Sequence, residues 1–187
     1  MEKIIFGGST LGEIAYKVLQ KTNNGDVIKI YDDGVASSFF VDKVQGGLRE
    51  LLSKRAGEEC EVFIAIGDNE VRRSVAIAVK EAGIQLLNII DRRAIIEDGL
   101  DLGSGNLIMA NSYLGTDVKI GDGNIIFPGV CITHHNVVGS FNFFSPNSSV
   151  GGFSRIGDFC KIGINSVVSP YMNMLDKTLI EPLSIYR

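Results

Sequence analysis

Two histidines stand side by side, His134 and His135, in the stretch ITHHNVVGSF, and the chain of 187 residues has no others. An unperturbed imidazole titrates near pH 6.5, so it can take or give a proton at working pH. General acid–base chemistry in this chain therefore falls first to this pair. A solvated surface pair is the competing reading. A zinc centre built from three histidines needs wider spacing than two neighbours provide, and no His-x-x-x-x-His pattern is present. The three cysteines, Cys60, Cys131 and Cys160, are scattered, with no Cys-x-x-Cys pair. They suggest neither a zinc knuckle nor a disulfide framework, and read as small buried hydrophobes in a reducing compartment. No metal is expected.

A second stretch with chemical potential is IIFGGSTLG, near the start. It resembles a weakened Gly-x-Gly-x-x-Gly turn, with Ser9 at the middle glycine and Gly12 at the third. Such a turn lets the backbone approach a phosphate or ribose, and the following helix N-terminus favours negative charge. Asp32 and Asp33 follow Gly12 by 20 and 21 residues. That spacing suits an acidic partner for ribose hydroxyls. Arg72 and Arg73 follow Asn69 on an expected helix and read as a solvated face, with one of them in reach of a phosphate as the alternative.

The elements that must hold these residues fall into two halves. Residues 1 to about 90 alternate apolar strands with helices. Lys3–Gly8, Asp26–Asp33, Glu61–Asp68 and IQLLNIID read as strands, and NEVRRSVAIAVKEAG as a helix capped at Gly83. This implies a small parallel sheet with helices on its faces. With at most four strands it supplies one mononucleotide-binding half.

Beyond about residue 95 the helical period disappears. Every sixth residue from Leu102 through Ile108, Leu114, Ile120, Ile126, Ile132, Val138, Phe144, Val150, Ile156, Ile162, Val168 and Met174 to Ile180 is apolar. A chance run of that length is on the order of one in ten thousand, so the pattern is a hexapeptide repeat and implies a parallel β-helix. Ile96 and Ile90 continue the phase backwards. Three hexads close one triangular coil, and stacked coils bury the aliphatic series. His134 breaks the small-residue filling between two members of this series.

The bulk numbers agree with a folded domain pair. Apolar residues are 45% and charged residues 21%, an ordinary globular composition. A net charge of −4 gives no reason to expect nucleic acid or an anionic membrane as partner. No apolar run approaches the roughly 18 residues of a membrane span, and the N-terminus lacks a signal peptide, so a cytoplasmic protein is expected.

Four motifs, IIFGGSTLG, IYDDG, FIAIGDNEVRR and ITHHNVVGSFNFFSP, together resemble one group of hexapeptide-repeat acyltransferases. These are the sugar O/N-acyltransferases of the sialic-acid O-acetyltransferase type, including bacterial UDP-4-amino-sugar N-acetyltransferases. The resemblance runs from residue 3 to about 170. It implies an α/β domain with a small Rossmann-like parallel sheet over 1–92, which binds the nucleotide sugar. A left-handed parallel β-helix over 93–187 would follow and carry the acyltransferase site. The left hand comes from the resemblance, since the period does not determine it.

The resemblance further implies a homotrimer that takes acetyl-CoA as co-substrate and acylates an amino or hydroxyl group of a UDP- or other nucleotide-linked sugar. His134 matches the general base, and His135 stands where relatives carry an acidic residue that orients it. Ser9, Thr10, Leu11, Asp32, Asp33 and Gly67 match sugar-nucleotide positions, although relatives often have histidine at Leu11. Gly152 would offer an oxyanion N–H. Phe143, Gly152, Gly163 and Ile164 match cofactor-binding positions, with Phe143 replacing a histidine. Glu181 and Pro182 stand where glycine-rich coils are expected to hold the pantetheine arm, and no capping segment follows. A non-catalytic nucleotide-sugar-binding trimer with a degenerate CoA site is the alternative. A γ-carbonic-anhydrase-type metalloenzyme lacks its histidines here.

Overall fold

The computed structural model describes residues 2–22, 25, 27–34, 37–40, 42–55 and 59–187, without the side chains of 54 and 55. The chain divides into two compact units, Met1–Ile89 and Ile90–Arg187.

Among the described residues, the first unit is a four-stranded parallel sheet with three helices. Its strands are β1 (Glu2–Phe6), β2 (Ile28–Tyr31), β3 (Cys60–Ile64) and β4 (Gln85–Leu86), in the order β2-β1-β3-β4. Ile4, Ile5, Ile30, Val62 and Phe63 are almost wholly buried, as expected for strands covered on both faces. The helices are α1 (Thr10–Thr22), α2 (Leu48–Arg55) and α3 (Asn69–Glu81). Leu11, Ala15, Val18 and Leu19 turn α1 onto the sheet, while Ile14 is only half-buried. Asp68 caps α3, its carboxylate accepting the N–H groups of Glu70 and Val71 at 3.0 Å each. Gly83, at φ +75°, follows the helix end.

Two expected strands come out differently. The one expected from Asp26 to Asp33 spans Ile28–Tyr31, and Asp26 lies outside the described residues. The segment IQLLNIID is not one strand. Gln85–Leu86 completes the first sheet, whereas Ile89–Ile90 joins a different one. A continuous apolar run does not mark the point where the chain leaves one sheet for the next.

The second unit is a parallel β-helix of two-residue strands in three sheets of five, six and six strands. Strands 18 residues apart pair in parallel, as in Cys131–Ile132 on Ser149–Val150. The aliphatic series points inward as expected: from Ile108 to Ile180 every member is buried, and Leu102 is half-buried. Each such side chain contributes about 1.5–3 kcal/mol.

Two further periodic series emerge. The residue before many of the strands is also internal, and there small or polar: Asn106, Ser112, Asn124, Asn136, Asn142, Ser148, Ser154, Cys160 and Ser166 are fully buried. They satisfy buried backbone groups one coil away, as where Asn142 Oδ1 accepts Cys160 N–H at 2.6 Å and Asn136 Oδ1 accepts Ser154 N–H at 2.8 Å. The residue before that one takes left-handed backbone at every corner from Gly99 to Leu183, whether or not it is glycine. Among the described residues no helix is long and apolar enough to cross a membrane.

Candidate functional site

His134 and His135 lie on the corner that joins Cys131–Ile132 to Val137–Val138. His135 occupies the left-handed position, at φ +58°. Both rings are exposed. The corner beneath them is held by its neighbours. Thr133 Oγ1 donates to Val150 O at 2.8 Å, and Asn136 Nδ2 donates to Thr133 O at 2.9 Å.

One coil further on, Gly152 forms the floor. A Cβ there would lie 2.6 Å from His134 Cε1 and 2.9 Å from Nε2, so only glycine leaves room for the imidazole. The N–H of Gly152 donates to no protein group among the described residues. Phe153 stacks on His135, with centroids 4.8 Å apart and planes 22° apart, and meets His134 edge-on at 5.2 Å. Tyr171, another coil on, stacks on Phe153 at 5.3 Å and 3°. His134 Nδ1 is 3.2 Å from His135 Nδ1, and His135 Nε2 is 3.5 Å from Asp117 Oδ2. One corner of a single chain thus gathers Asp117, His134, His135, Gly152, Phe153 and Tyr171.

The remaining β-helix candidates lie elsewhere on the same chain. Phe143 is on the sheet that contains Ile125–Ile126 and Lys161–Ile162, tilted against Phe127 at 5.1 Å. Gly163 and Ile164 sit at the corner after Lys161–Ile162. A Cβ on Gly163 would come within 2.5 Å of Pro182 N, so this glycine is required by the next coil's backbone. Ile164 is exposed. Phe127, Phe141 and Phe143 do not form an exposed apolar side. Phe127 and Phe143 are half-buried, and Phe141 lies over Gly123 and is 9% exposed.

In the first unit, the sheet order places the switch point between β1 and β3, where open α/β sheets bind ligands at the carboxyl ends of the strands. Ser9, Thr10 and Leu11 follow β1 there, and Gly67 follows β3. A Cβ on Gly7 would be 2.6 Å from Ala65 O, and one on Gly12 would strike the Gly7 carbonyl. Gly67 differs: a Cβ there meets nothing within 4 Å. Leu11 is buried in the core.

Asp32 ties the loops together. Its Oδ2 accepts Gly8 N–H and its Oδ1 accepts Gly34 N–H. Asp33 Oδ1 accepts Leu48 N–H at 2.7 Å and so caps α2. Because the Asp68 carboxylate already occupies the N-terminus of α3, the N-terminus of α1 is the better place for an anion in this crevice.

Arg72 overturns its expected place on a solvated helix face. It is 1% exposed, and its guanidinium donates to Ile66 O at 2.8 Å, Gly67 O at 3.4 Å and Asn69 Oδ1 at 2.8 Å. Burial pulls its pKa down to about 10, against the opposing charge of Asp68. It therefore stiffens the β3–α3 loop from inside. Sequence reasoning also missed Asp117 and Phe153. The signal was available, since both lie one coil of 18 residues from His135.

Comparison with known proteins bears out the resemblance in both halves and in the expected order. Residues 3–79 match the PglD N-terminal domain, and residues 101–134 match the bacterial transferase hexapeptide (six repeats). No curated protein sequence matches the chain. Among solved structures, it is similar to the His-to-Asn mutant of perosamine N-acetyltransferase from Caulobacter crescentus, in complex with CoA and GDP-perosamine. The two share 23% identity and a TM-score of 0.92, over 100% of this chain and 89% of that one. The acetyltransferase domain of PglB from Neisseria gonorrhoeae, in complex with acetyl coenzyme A, is 20% identical with a TM-score of 0.91, over 99% and 92% of the two chains. WeeI from Acinetobacter baumannii is 19% identical with a TM-score of 0.72, over 99% and 95%. The fold is thus an α/β domain followed by the left-handed β-helix of these acetyltransferases.

Proposed function

We propose that this protein is a sugar N- or O-acetyltransferase that moves an acetyl group from acetyl-CoA to an amino or hydroxyl group of a nucleotide-linked sugar. The observation that carries the reading is the exposed His134 imidazole seated on Gly152 at a β-helix corner. The solved structures that share this fold include acetyltransferases holding CoA and GDP-perosamine, which supports the same substrate classes here.

His134 Nε2 accepts the proton of the acceptor nitrogen or oxygen as that atom bonds to the thioester carbonyl carbon. The C–S bond then breaks, and CoA leaves as a thiolate that takes up a proton. No covalent bond to the protein is needed. A proton-transfer role of this kind accounts for about 10²–10⁴-fold in rate. The N–H of Gly152, without a protein acceptor, is a donor available to the oxyanion that develops on the carbonyl.

Phe143, Gly163 and Ile164 are assigned to CoA. They lie on a different side of the coil from His134, so association of copies would let one chain's donor residues meet another's base. This favours a homotrimer with sites between subunits. In the α/β unit, the Ser9–Thr10 turn and Gly67 line the crevice for the nucleotide, and the α1 N-terminus faces its phosphates. The bonds of Asp32 and Asp33 give them a further role, shaping that crevice.

Isothermal titration with acetyl-CoA and separately with UDP- and GDP-linked amino sugars tests the reading, followed by an assay of CoA thiol release. Binding of both substrates with thiol release supports it. Binding of the nucleotide sugar without any CoA thioester transfers the case to a non-catalytic nucleotide-sugar-binding protein.

A further inference from the structure

We infer that Asp117 and His135 form a relay that fixes the tautomer of His134, and this rests on His134 being the base. The contacts are few. The two Nδ1 atoms are 3.2 Å apart, and only one of them can carry the shared proton when both rings are neutral. The other end of His135 decides which. Its Nε2 lies 3.5 Å from Asp117 Oδ2, and an ionised carboxylate only accepts. His135 therefore keeps its proton on Nε2, and its Nδ1 presents a lone pair. His134 donates to that lone pair from Nδ1. Its Nε2 is left bare, which is the state a general base needs.

The scaffold supports this alignment. Gly99, Asp117, His135, Phe153 and Tyr171 recur every 18 residues on one corner. The first four hold φ values of +79°, +56°, +58° and +59°. Left-handed backbone is costly for a bulky side chain, so the corner's periodic geometry is what aligns the side chains. Phe153 backs the His135 ring face-on and the His134 ring edge-on, which limits rotation of both. In place of an acidic residue directly beside the base, this chain reaches a carboxylate one coil earlier, through a second imidazole. His135 and Asp117 are positioning residues in this scheme.

The test uses the full chain labelled with ¹⁵N-histidine. With two histidines, the spectrum holds four ring nitrogens. At a pH where both rings are neutral, the relay requires His134 protonated on Nδ1 and His135 on Nε2, whereas an unconstrained histidine side chain prefers the Nε2 proton. Two variants break it. Asp117→Gly removes the carboxylate, and Gly99 occupies the same left-handed position one coil earlier. His135→Phe keeps a stacking ring but has no nitrogen, and Phe141, Phe153 and Phe159 already occupy such positions. Both should move the His134 proton to Nε2 and lower kcat at least about tenfold with little change in KM.

A wild-type His134 protonated on Nε2, or variants that leave its tautomer unchanged, would overturn the relay. The tautomers are read without substrate. A protein with the expected tautomers and no acetyl transfer therefore refutes the enzymatic reading alone. Acetyl transfer by a protein with the wrong tautomers refutes the relay alone.

Discussion

Replacing the His134 imidazole by an amide separates chemistry from binding. His134→Asn leaves the side chain on an exposed corner, where it supports no core residue. Its kcat should fall by about 10²–10⁴, while both KM values stay within a few-fold. Steady-state thiol release checks this, and a large rise in KM with kcat unchanged would reassign His134 to binding. Gly152→Ala is a finer probe. Its methyl would lie 2.6 Å from His134 Cε1, so the imidazole must swing away while the coil backbone stays in place. The expected result is loss of at least about tenfold in kcat, because a displacement of about 1 Å is enough to cost that much. Thermal stability should change by less than about 1 kcal/mol. A fully active Gly152→Ala would show that the His134 ring is not held against Gly152 during turnover.

At the scale of the elements, the β1–α1 and β3–α3 loops make opposite predictions. Gly67 has open space where a side chain would project. Gly67→Leu should therefore leave the fold unchanged and fill the crevice, so that titration with the nucleotide sugar shows at least about tenfold weaker binding. Unchanged affinity would move the nucleotide away from the β1/β3 switch point. Arg72→Ala acts from inside the same loop. It removes a buried guanidinium that donates to Ile66 O, Gly67 O and Asn69 Oδ1. A loss of about 2–4 kcal/mol is expected in urea denaturation.

These two residues also show what a sequence makes legible. The six-residue aliphatic series is readable because one side chain type repeats, and every member from Ile108 on is internal. The His134 corner could be located against the same background, since two imidazoles stand between Ile132 and Val138 of an unbroken series. Arg72 was misread because helical spacing says which face a residue is on, but not whether a loop folds over that face. Asp32 and Asp33 read as ligand carboxylates, yet their bonds to Gly8 and to Leu48 depend on loops that meet only in three dimensions. The Asp117–His135 pairing lay one coil apart, a distance visible only once 18 residues is adopted as the unit of reading.

At the scale of the whole molecule, the proposed site raises the question of association, and the β-helix surface bears on it. On the His134 corner, Tyr171 is 74% and Phe153 47% exposed. A lone soluble chain seldom leaves so much apolar surface uncovered near its chemical groups. The assigned CoA residues Phe143, Gly163 and Ile164 also lie away from the His134 corner of their own chain. Closed three-fold association of β-helices would bring one chain's base to its neighbour's donor groups. Sedimentation should then report three times the chain mass at micromolar protein, and acetyl transfer per chain should fall as dilution drives the assembly apart. A chain that sediments singly and keeps its full specific activity at every dilution would confine the whole site to one copy. Phe143, Gly163 and Ile164 would then lose their assignment to CoA, and the donor would have to bind along the His134 corner itself.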